Sequence, residues 1–175
     1  YADVDADTFN ITLEEIEKVY TNDVSAIIVV HLFGQSCNMT AIQEFAQKNK
    51  LFVIEDNAQS LGVEKNTTRN SIITTSFFPS KNLGAYGDGG AVMTNDDVLA
   101  KKMRTIANHG QSVKYYHDMV GVNSRLDSIQ AAVLNVKLKY LDEFIYKRQQ
   151  AALFYDNQLK DISQISIPKR ADFSV

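Results

Sequence analysis

In the first third of the chain, short apolar runs typical of strands stand on either side of a segment whose apolar residues recur at helical spacing. The run "AIIVVHLF" is short and almost wholly apolar, which is typical of a buried strand. In "MTAIQEFAQKNK" the apolar side chains recur on one helical face, and Asn38 stands where a cap would begin that helix. "LFVIED" then repeats the strand pattern. A strand, a helix and a second apolar strand predict a parallel sheet with helices on both faces.

Patterns typical of helices and strands continue to about residue 110. "TLEE", from Thr12, has the form of a capping box and predicts a helix to about Tyr20. "IITTSFF" and "GAVMT" predict two more strands on either side of a glycine-rich loop. "NDDVLAKKMRTIANHG" opens with acidic residues and closes with His-Gly, as helix ends prefer. The predicted fold class is therefore α/β with a mostly parallel sheet.

A long segment without Gly or Pro runs from Ser124 to about Lys160. Its apolar residues recur at steps of three and four, which predicts one long or gently broken helix. Such a helix would reach roughly 50 Å at about 1.5 Å per residue, more than a small domain needs. We therefore expect it to leave the core toward another domain or subunit.

Composition and charge narrow the classes of function. Hydrophobic residues make up 45% of the 175 and charged residues 22%, which is ordinary for a globular protein. The net charge of −3 does not indicate a basic surface that would bind nucleic acid or an anionic membrane. The apolar runs are too short to span a bilayer. One cysteine, Cys37, excludes an internal disulfide, and three scattered histidines offer no metal-ligand spacing. We expect a cytoplasmic protein without a metal.

The stretch "SFFPSKNLGAYGDGG" sets one lysine, Lys81, between a strand and a glycine-rich loop. It is not a phosphate-binding P-loop, because the glycines follow the lysine. A lysine in a restricted site can form a Schiff base with a carbonyl, whereas a lone lysine is usually a solvated surface cation. Asp56 ends a buried strand, where ligands of open α/β sheets bind, although a strand-end acid can equally act as a cap.

Other polar residues have simpler explanations as well. Cys37 lacks the partners of a catalytic cysteine, and His31 and His109 suit structural roles at element ends. Arg125, in "NSR" before the long helix, could bind an anion or form an ordinary ion pair. "EKNTTRNSIITTS" is irregular before its strand and has the character of a variable loop.

Four motifs in this order carry a resemblance to a known family. They are "VHLFGQSCNM", "VIEDNAQSLG", "TTSFFPSKNLGAYGDGGAVMTND" and "NHGQ" followed by "GVNSRLDSIQAAVLNVKLKYLDE". With them the chain closely resembles the DegT/DnrJ/EryC1/StrS family of pyridoxal-phosphate sugar aminotransferases. The resemblance covers nearly everything from Tyr1 to about Leu159, and it implies the fold-type I large domain of the aspartate aminotransferase superfamily.

The resemblance implies a set of cofactor-binding residues. Lys81 would bond covalently to the aldehyde of pyridoxal 5'-phosphate, and Asp56 would pair with its ring nitrogen. Gln59 would lie beside the ring, Ser76 would contact the phosphate, and Asn123 would reach the phosphate of the neighbouring subunit's cofactor. Two further residues, Tyr86 and Arg125, are near-site candidates with weaker support.

The resemblance also implies an activity and its partners. L-glutamate would donate an amino group to a nucleotide-linked keto-sugar, of the dTDP-3- or 4-keto-6-deoxyhexose type, in amino-sugar biosynthesis. Lys81 would be the general acid/base of both half-reactions. The expected assembly is a homodimer with shared active sites.

The resemblance divides the chain and leaves two alternatives open. Residues 1–123 would be the central part of the large domain, 124–160 the helix leading out of it, and 161–175 the start of a small C-terminal domain, so we expect both ends to be incomplete. A truncated homologue acting as a binding or regulatory module is one alternative. A pyridoxal-dependent sugar dehydratase is another, but Lys81 argues against it because histidine is typical at that position.

Overall fold

Short strands alternate with helices along the first two thirds of the chain, and helices follow. The computed structural model describes residues 1–63, 72–171 and 174, so most of the predicted variable loop lies outside the described residues. In chain order the elements are α1 (Leu13–Val19), β1 (Ala26–Val30), a 3-10 turn (Leu32–Gly34), α2 (Met39–Asn49), β2 (Phe52–Asp56), β3 (Ile72–Ser76), β4 (Gly90–Met93), α3 (Asp97–Ala107), β5 (Gln111–Val113), β6 (Tyr116–His117), α4 (Ser128–Lys137), a second 3-10 turn (Leu138–Tyr140) and α5 (Leu141–Leu159).

The first three helices begin where the sequence places a capping side chain. Each cap accepts a hydrogen bond from a free backbone N–H of the first turn, which removes the cost of leaving that donor unpaired. The Thr12 hydroxyl and the Asn38 amide oxygen each accept an N–H three residues on, at 3.3 Å. The Asp96 carboxylate accepts two, at 2.8 and 2.9 Å. The predicted starts of α1 and α2 are confirmed.

The main sheet has the order β1-β2-β3-β4. The first three strands are parallel and β4 runs antiparallel to β3, which confirms a mostly parallel sheet. In register, Val30 pairs with Asp56, Asp56 with Thr74, and Ser76 with Gly90. The loop that carries Lys81 therefore leaves the carboxyl end of β3 and returns as the edge strand β4.

The larger hydrophobic core lies on one face of this sheet. Ile27 and Val29 of β1 are buried there against α1 and α2. The alternate residues Ile28 and Val30 point to the other face and are 62% and 40% exposed. Coverage of both faces, which the apolar pattern predicted, is therefore not seen at β1 among the described residues. A second, smaller cluster forms where Leu134 of α4 packs on the loop after β3.

The long C-terminal segment is a helix broken in the middle, as predicted. It begins at Ser128 and not at Ser124, because the Asp127 carboxylate accepts the Ile129 N–H at 2.7 Å and caps α4. The Ser124 N–H donates to the Ala107 carbonyl at 2.9 Å, and residues 124–127 precede the helix. The assignment of residues 161–175 to a further domain stays a prediction. No helix among the described residues combines the length and the apolarity needed to cross a bilayer.

Candidate active site

The loop after β3 folds back on itself and holds Lys81 at its first turn. The Lys81 N–H donates to the Phe78 carbonyl at 2.9 Å, and the Ala85 N–H donates to the Phe77 carbonyl at 2.7 Å. The Lys81 side chain is half-buried. Its amine forms no hydrogen bond or ion pair with any residue that the structure describes. A half-buried amine without such a partner is available to a ligand.

Asp56 and Ser76 lie on the same face of the sheet. Asp56 pairs in register with Thr74, and Ser76 follows two residues later, so the three side chains share a face. One Asp56 carboxylate oxygen, Oδ1, accepts the Ala58 N–H at 3.0 Å, and the other has no donor among the described residues. The Ser76 hydroxyl accepts the Phe78 N–H at 3.2 Å and keeps its own proton to donate.

These donors and acceptors fit the cofactor that the sequence predicted. A free carboxylate oxygen on Asp56 can accept a hydrogen bond from a protonated ring nitrogen and keep that ring charged. A free hydroxyl proton on Ser76 can be donated to a phosphate oxygen. The unpaired amine of Lys81 can bond to an aldehyde carbon. Each group is thus chemically suited to the role that the resemblance implies.

Lys81 and Gln59 line a common cavity of about 360 Å³. Its other lining residues are Phe33, Ala58, Ser80, Asn82 and Arg148. The Gln59 amide oxygen accepts the Phe33 N–H at 2.9 Å, which ties the chain after β2 to the turn after β1. A larger cavity of about 510 Å³ shares Phe33, Gln59, Asn82 and Arg148 with the first and extends along α5. The structure therefore brings Lys81 and Gln59 together beside a sizeable open space.

Of the predicted site residues, only Lys81 and Gln59 line this cavity, and Asp56 and Ser76 do not. Tyr86, Asn123 and Arg125 lie outside it as well. Tyr86 is 75% exposed, and the amine of Lys137 lies 4.8 Å from the centre of its ring. Asn123 is exposed and forms an isolated bridge with Asn108. Arg125 is also exposed. These three positions stay predictions that concern surfaces outside the cavity.

The neighbour of Asp56 on β2 faces the opposite way. Glu55 is fully buried on the core side of the sheet, and its carboxylate lies 3.3 Å from Nε2 of the fully buried His31. Nδ1 of the same ring accepts the Cys37 N–H at 3.1 Å, so the proton of the neutral ring is on Nε2 and points at Glu55. This arrangement supports the structural interpretation of His31 and Cys37, because both residues lie in the core.

Several residues around the lysine loop were missed by the sequence analysis. Asn82 follows Lys81 directly, and its side chain reaches the chain after β2. Three polar side chains of α4 and α5 also contact the loop, namely Gln130, Lys137 and Arg148. In the sequence they are polar positions on an amphipathic helix, a pattern that usually indicates a solvated face.

Comparisons with known proteins agree with this geometry. A family model described as the DegT/DnrJ/EryC1/StrS aminotransferase family matches residues 1–174. One curated relative is the "Pleiotropic regulatory protein" of Geobacillus stearothermophilus, 45% identical over 98% of this chain and 48% of its own. Another is the UDP-2-acetamido-2-deoxy-3-oxo-D-glucuronate aminotransferase of Pseudomonas aeruginosa, 47% identical over 93% of this chain and 46% of its own.

Two solved structures have the same fold over nearly the whole chain. DesV of S. venezuelae, in complex with a ketimine intermediate, superposes with a TM-score of 0.94 at 36% identity, over 99% of this chain and 48% of its own. NtdA of Bacillus subtilis, with bound cofactor PMP, superposes with a TM-score of 0.85 at 36% identity, over 94% of this chain and 38% of its own. The chain thus spans about half the length of the curated relatives described here.

Proposed function

Because this chain belongs to the DegT/DnrJ/EryC1/StrS aminotransferase family, we propose that the protein carrying it is a pyridoxal-phosphate-dependent aminotransferase. It moves an amino group from L-glutamate to a nucleotide-linked keto-sugar. The observation that carries this proposal is the half-buried amine of Lys81, which has no partner among the described residues and lines one cavity with Gln59.

Four residues would hold the cofactor. Lys81 binds it covalently, Asp56 accepts its ring N–H, Gln59 lies beside the ring and Ser76 donates to the phosphate. The free oxygen of Asp56 and the free hydroxyl proton of Ser76 support these roles. NtdA, described with bound PMP, supports the choice of cofactor. When bound, the cofactor supplies a carbonyl carbon and an electron-withdrawing ring.

Lys81 would also move the proton. Once the amino donor has displaced it, the freed amine takes a proton from Cα of the donor and acts as the general base. The amine lines the same cavity as Gln59, so a donor bound there would lie close to it and proximity would contribute to the rate. The amine would pass that proton on before the first half-reaction is complete. In the second half-reaction it would take up a proton again and donate it to the sugar carbon that receives the amino group.

The acceptor would be a nucleotide-linked keto-deoxysugar, of the dTDP-3- or 4-keto-6-deoxyhexose type. The Pseudomonas aeruginosa relative, whose name specifies a 3-oxo sugar nucleotide, supports a keto-sugar acceptor. A panel of dTDP- and UDP-linked 3-keto and 4-keto sugars, with product identified by mass, tests this choice. Amination of UDP-linked sugars alone would contradict the dTDP assignment.

The working assembly would be a homodimer in the cytoplasm. Exposed apolar and aromatic side chains cluster on and after the β5–β6 hairpin, including Val113, Tyr115, Tyr116 and Val120 at 62 to 95% exposure. Asn123 follows them, which suits a contact with a neighbouring subunit. Cys37 is buried and is not part of a disulfide, which supports a reducing compartment. Sedimentation equilibrium of the full-length protein should give twice the subunit mass, and a monomer would contradict the shared site.

An absorbance experiment tests the assignment of Lys81. Full-length protein with pyridoxal phosphate should show a visible band that disappears in Lys81→Ala and is bleached by L-glutamate. Lys102→Ala, on the exposed surface of α3, is the matched control and should keep the band. A band that survives loss of Lys81 would refute the covalent role.

A binding or regulatory module is the second candidate, since one relative is described as a pleiotropic regulatory protein. The absence of any Lys81-dependent band would favour it. A sugar dehydratase is a weaker alternative because the site carries lysine where histidine is typical. Product analysis separates the two enzymes, since only the aminotransferase makes 2-oxoglutarate from glutamate.

A further inference from the structure

Asn82, the residue directly after Lys81, is hydrogen-bonded at both ends of its side chain. Its amide nitrogen lies 3.3 Å from the Gln59 carbonyl oxygen and 3.4 Å from the Leu61 carbonyl oxygen. Its amide oxygen accepts a hydrogen bond from Nη1 of Arg148, on α5. One short side chain thus joins the lysine loop to the chain after β2 and to a helix that begins about 60 residues later.

The chemistry of these partners determines how the Asn82 amide points. A guanidinium can only donate, so the amide oxygen must face Arg148. Backbone carbonyls can only accept, so the amide nitrogen must face Gln59 and Leu61. A flipped amide would place donor against donor and acceptor against acceptor. Arg148 therefore stabilises the one orientation in which Asn82 links Lys81 to Gln59.

The helix that carries Arg148 is itself packed against the chain after Gln59. A Cβ built on Gly62 would lie 2.7 Å from Cδ1 of Ile145 and 3.0 Å from Cδ2 of Leu141, so α5 crosses this backbone at close range. Arg148 follows Ile145 by three residues and therefore lies on a similar side of the helix. The same helix face packs beside the Gln59 segment and reaches the residue next to Lys81.

We propose that Arg148 and Asn82 are a positioning pair for Lys81, and this inference rests on the proposed aminotransferase function. The pair acts through the backbone. Arg148 orients Asn82, and Asn82 keeps the backbone of Lys81 at a fixed distance from the backbone of Gln59. Loss of either contact lets the lysine loop drift relative to the residue that lies beside the cofactor. Because effective concentration depends steeply on geometry, a drift of about 1 Å can lower the rate by roughly 100-fold.

Arg148→Met in the full-length protein tests the proposal, since methionine keeps the apolar stem and the helix propensity but removes the donor. Lys147→Met is the matched control, because Lys147 is the preceding residue and its one ion pair among the described residues is an exposed pair with Glu143 at 2.6 Å. Without cofactor, the amides of residues 77–86 should exchange with deuterium several-fold faster in Arg148→Met than in Lys147→Met. With cofactor and glutamate, the rate constant of the first half-reaction at saturating glutamate, taken here as kcat, should fall roughly ten- to hundred-fold, while the glutamate concentration that gives half of this rate, taken as KM, changes much less.

Two further variants separate positioning from simple loss of stability. Arg148→Lys keeps one donor for the Asn82 oxygen and should recover most of kcat at an unchanged unfolding midpoint. Asn82→Asp keeps the acceptor for Arg148 but removes the donors to Gln59 and Leu61, so it should lose kcat and loop protection as Arg148→Met does. If Arg148→Met does not fold, deuterium exchange and kcat can be compared between Asn82→Asp and Lys147→Met instead.

The two hypotheses fail in different ways. If the unsubstituted protein shows no Lys81-dependent band, the proposed function is wrong, and deuterium exchange in the cofactor-free protein still reports on the pair. If the band is normal but Arg148→Met and Asn82→Asp match Lys147→Met in exchange and in kcat, the positioning role alone is overturned.

Discussion

Gly84 packs against the turn that carries Lys81, and replacing it with alanine should disturb that turn. A Cβ at this position would lie 2.3 Å from the Pro79 carbonyl oxygen, 2.7 Å from the Pro79 carbonyl carbon and 3.0 Å from the Phe78 carbonyl oxygen. All three are backbone atoms, so no side-chain rotation can relieve the contacts. The residue is also buried.

The size of the effect follows from these distances. Restoring an ordinary contact of 3.4 Å from 2.3 Å requires 3.4 − 2.3 = 1.1 Å of movement between two backbone segments of one loop. The amine of Lys137 donates to the Gly84 carbonyl at 2.7 Å and resists movement on the Gly84 side. Overpacking of this kind costs about 1–3 kcal/mol of unfolding free energy. A shift of this size beside the reactive lysine should also lower the rate by roughly 100-fold.

Gly87→Ala is the matched control in the same loop. The nearest atom to a Cβ there is the amide nitrogen of Gln130, at 3.1 Å, so a shift of a few tenths of an ångström at the end of that side chain relieves the contact while its oxygen still accepts the Tyr86 N–H. Urea unfolding and the glutamate-dependent rate of the full-length protein should show a change of less than about 0.5 kcal/mol and a near-normal rate for this variant. Equal stability and equal rate for Gly84→Ala and Gly87→Ala would refute the argument from backbone contact.

Two smaller predictions concern single contacts. Lys137→Met removes the hydrogen bond to the Gly84 carbonyl and the cation over the Tyr86 ring, and urea unfolding should show a loss of about 1–2 kcal/mol; an unchanged midpoint would contradict it. Thr8 donates its backbone N–H and its hydroxyl to Asp5, which lowers the pKa of that carboxyl below 3.8. A lowered pKa in the folded state stabilises the protein above pH 3.8, and this contribution disappears as the pH falls through the folded value. Thr8→Val should therefore raise the pKa of Asp5 in an NMR titration, and it should lower the free energy of unfolding by this route only above pH 3.8. An unchanged pKa of Asp5 would exclude the Thr8 hydroxyl as a cause of the lowered value.

The elements that the sequence predicted well are those with local signals. Thr12, Asn38 and the acids before α3 each supply a side-chain acceptor within three residues of the donor it satisfies, so the helix start is encoded where it forms. The strands β1 and β2 are short apolar runs bounded by polar residues, and no distant contact is needed to recognise them.

The start of the long helix shows where local signals become ambiguous. Ser124 and Asp127 are both good capping residues, and the residues between them would tolerate a helix. The choice depends on the Ser124 N–H, which donates to the carbonyl of Ala107 at the end of α3. That hydrogen bond ties the chain before the helix to the end of α3, and it joins residues that are distant in the sequence.

The burial of β1 shows a different limit. Its five residues are all apolar, which predicted two covered faces, yet Ile28 and Val30 are exposed in this chain. Hydrophobicity indicates that a residue prefers to be covered, but it does not specify which partner covers it. The apolar pattern therefore predicts the strand itself, but it does not predict what packs against each face of the strand.

The candidate site also contains residues that could be recognised from the sequence and residues that could not. Lys81 and Asp56 could be selected from the sequence because their side chains carry distinctive chemistry and each follows or ends a strand, whereas Ser76 was implied only by the family resemblance. The residues that hold the loop could not be selected, since a Gln, a Lys and an Arg on a long helix normally face water. Their hydrogen bonds to residues 82–86 exist only because α4 and α5 pack across the loop through apolar contacts such as that of Leu134. The geometry of the lysine loop therefore depends on the packing of these helices, so a cavity created in that cluster should loosen the loop as well as destabilise the fold.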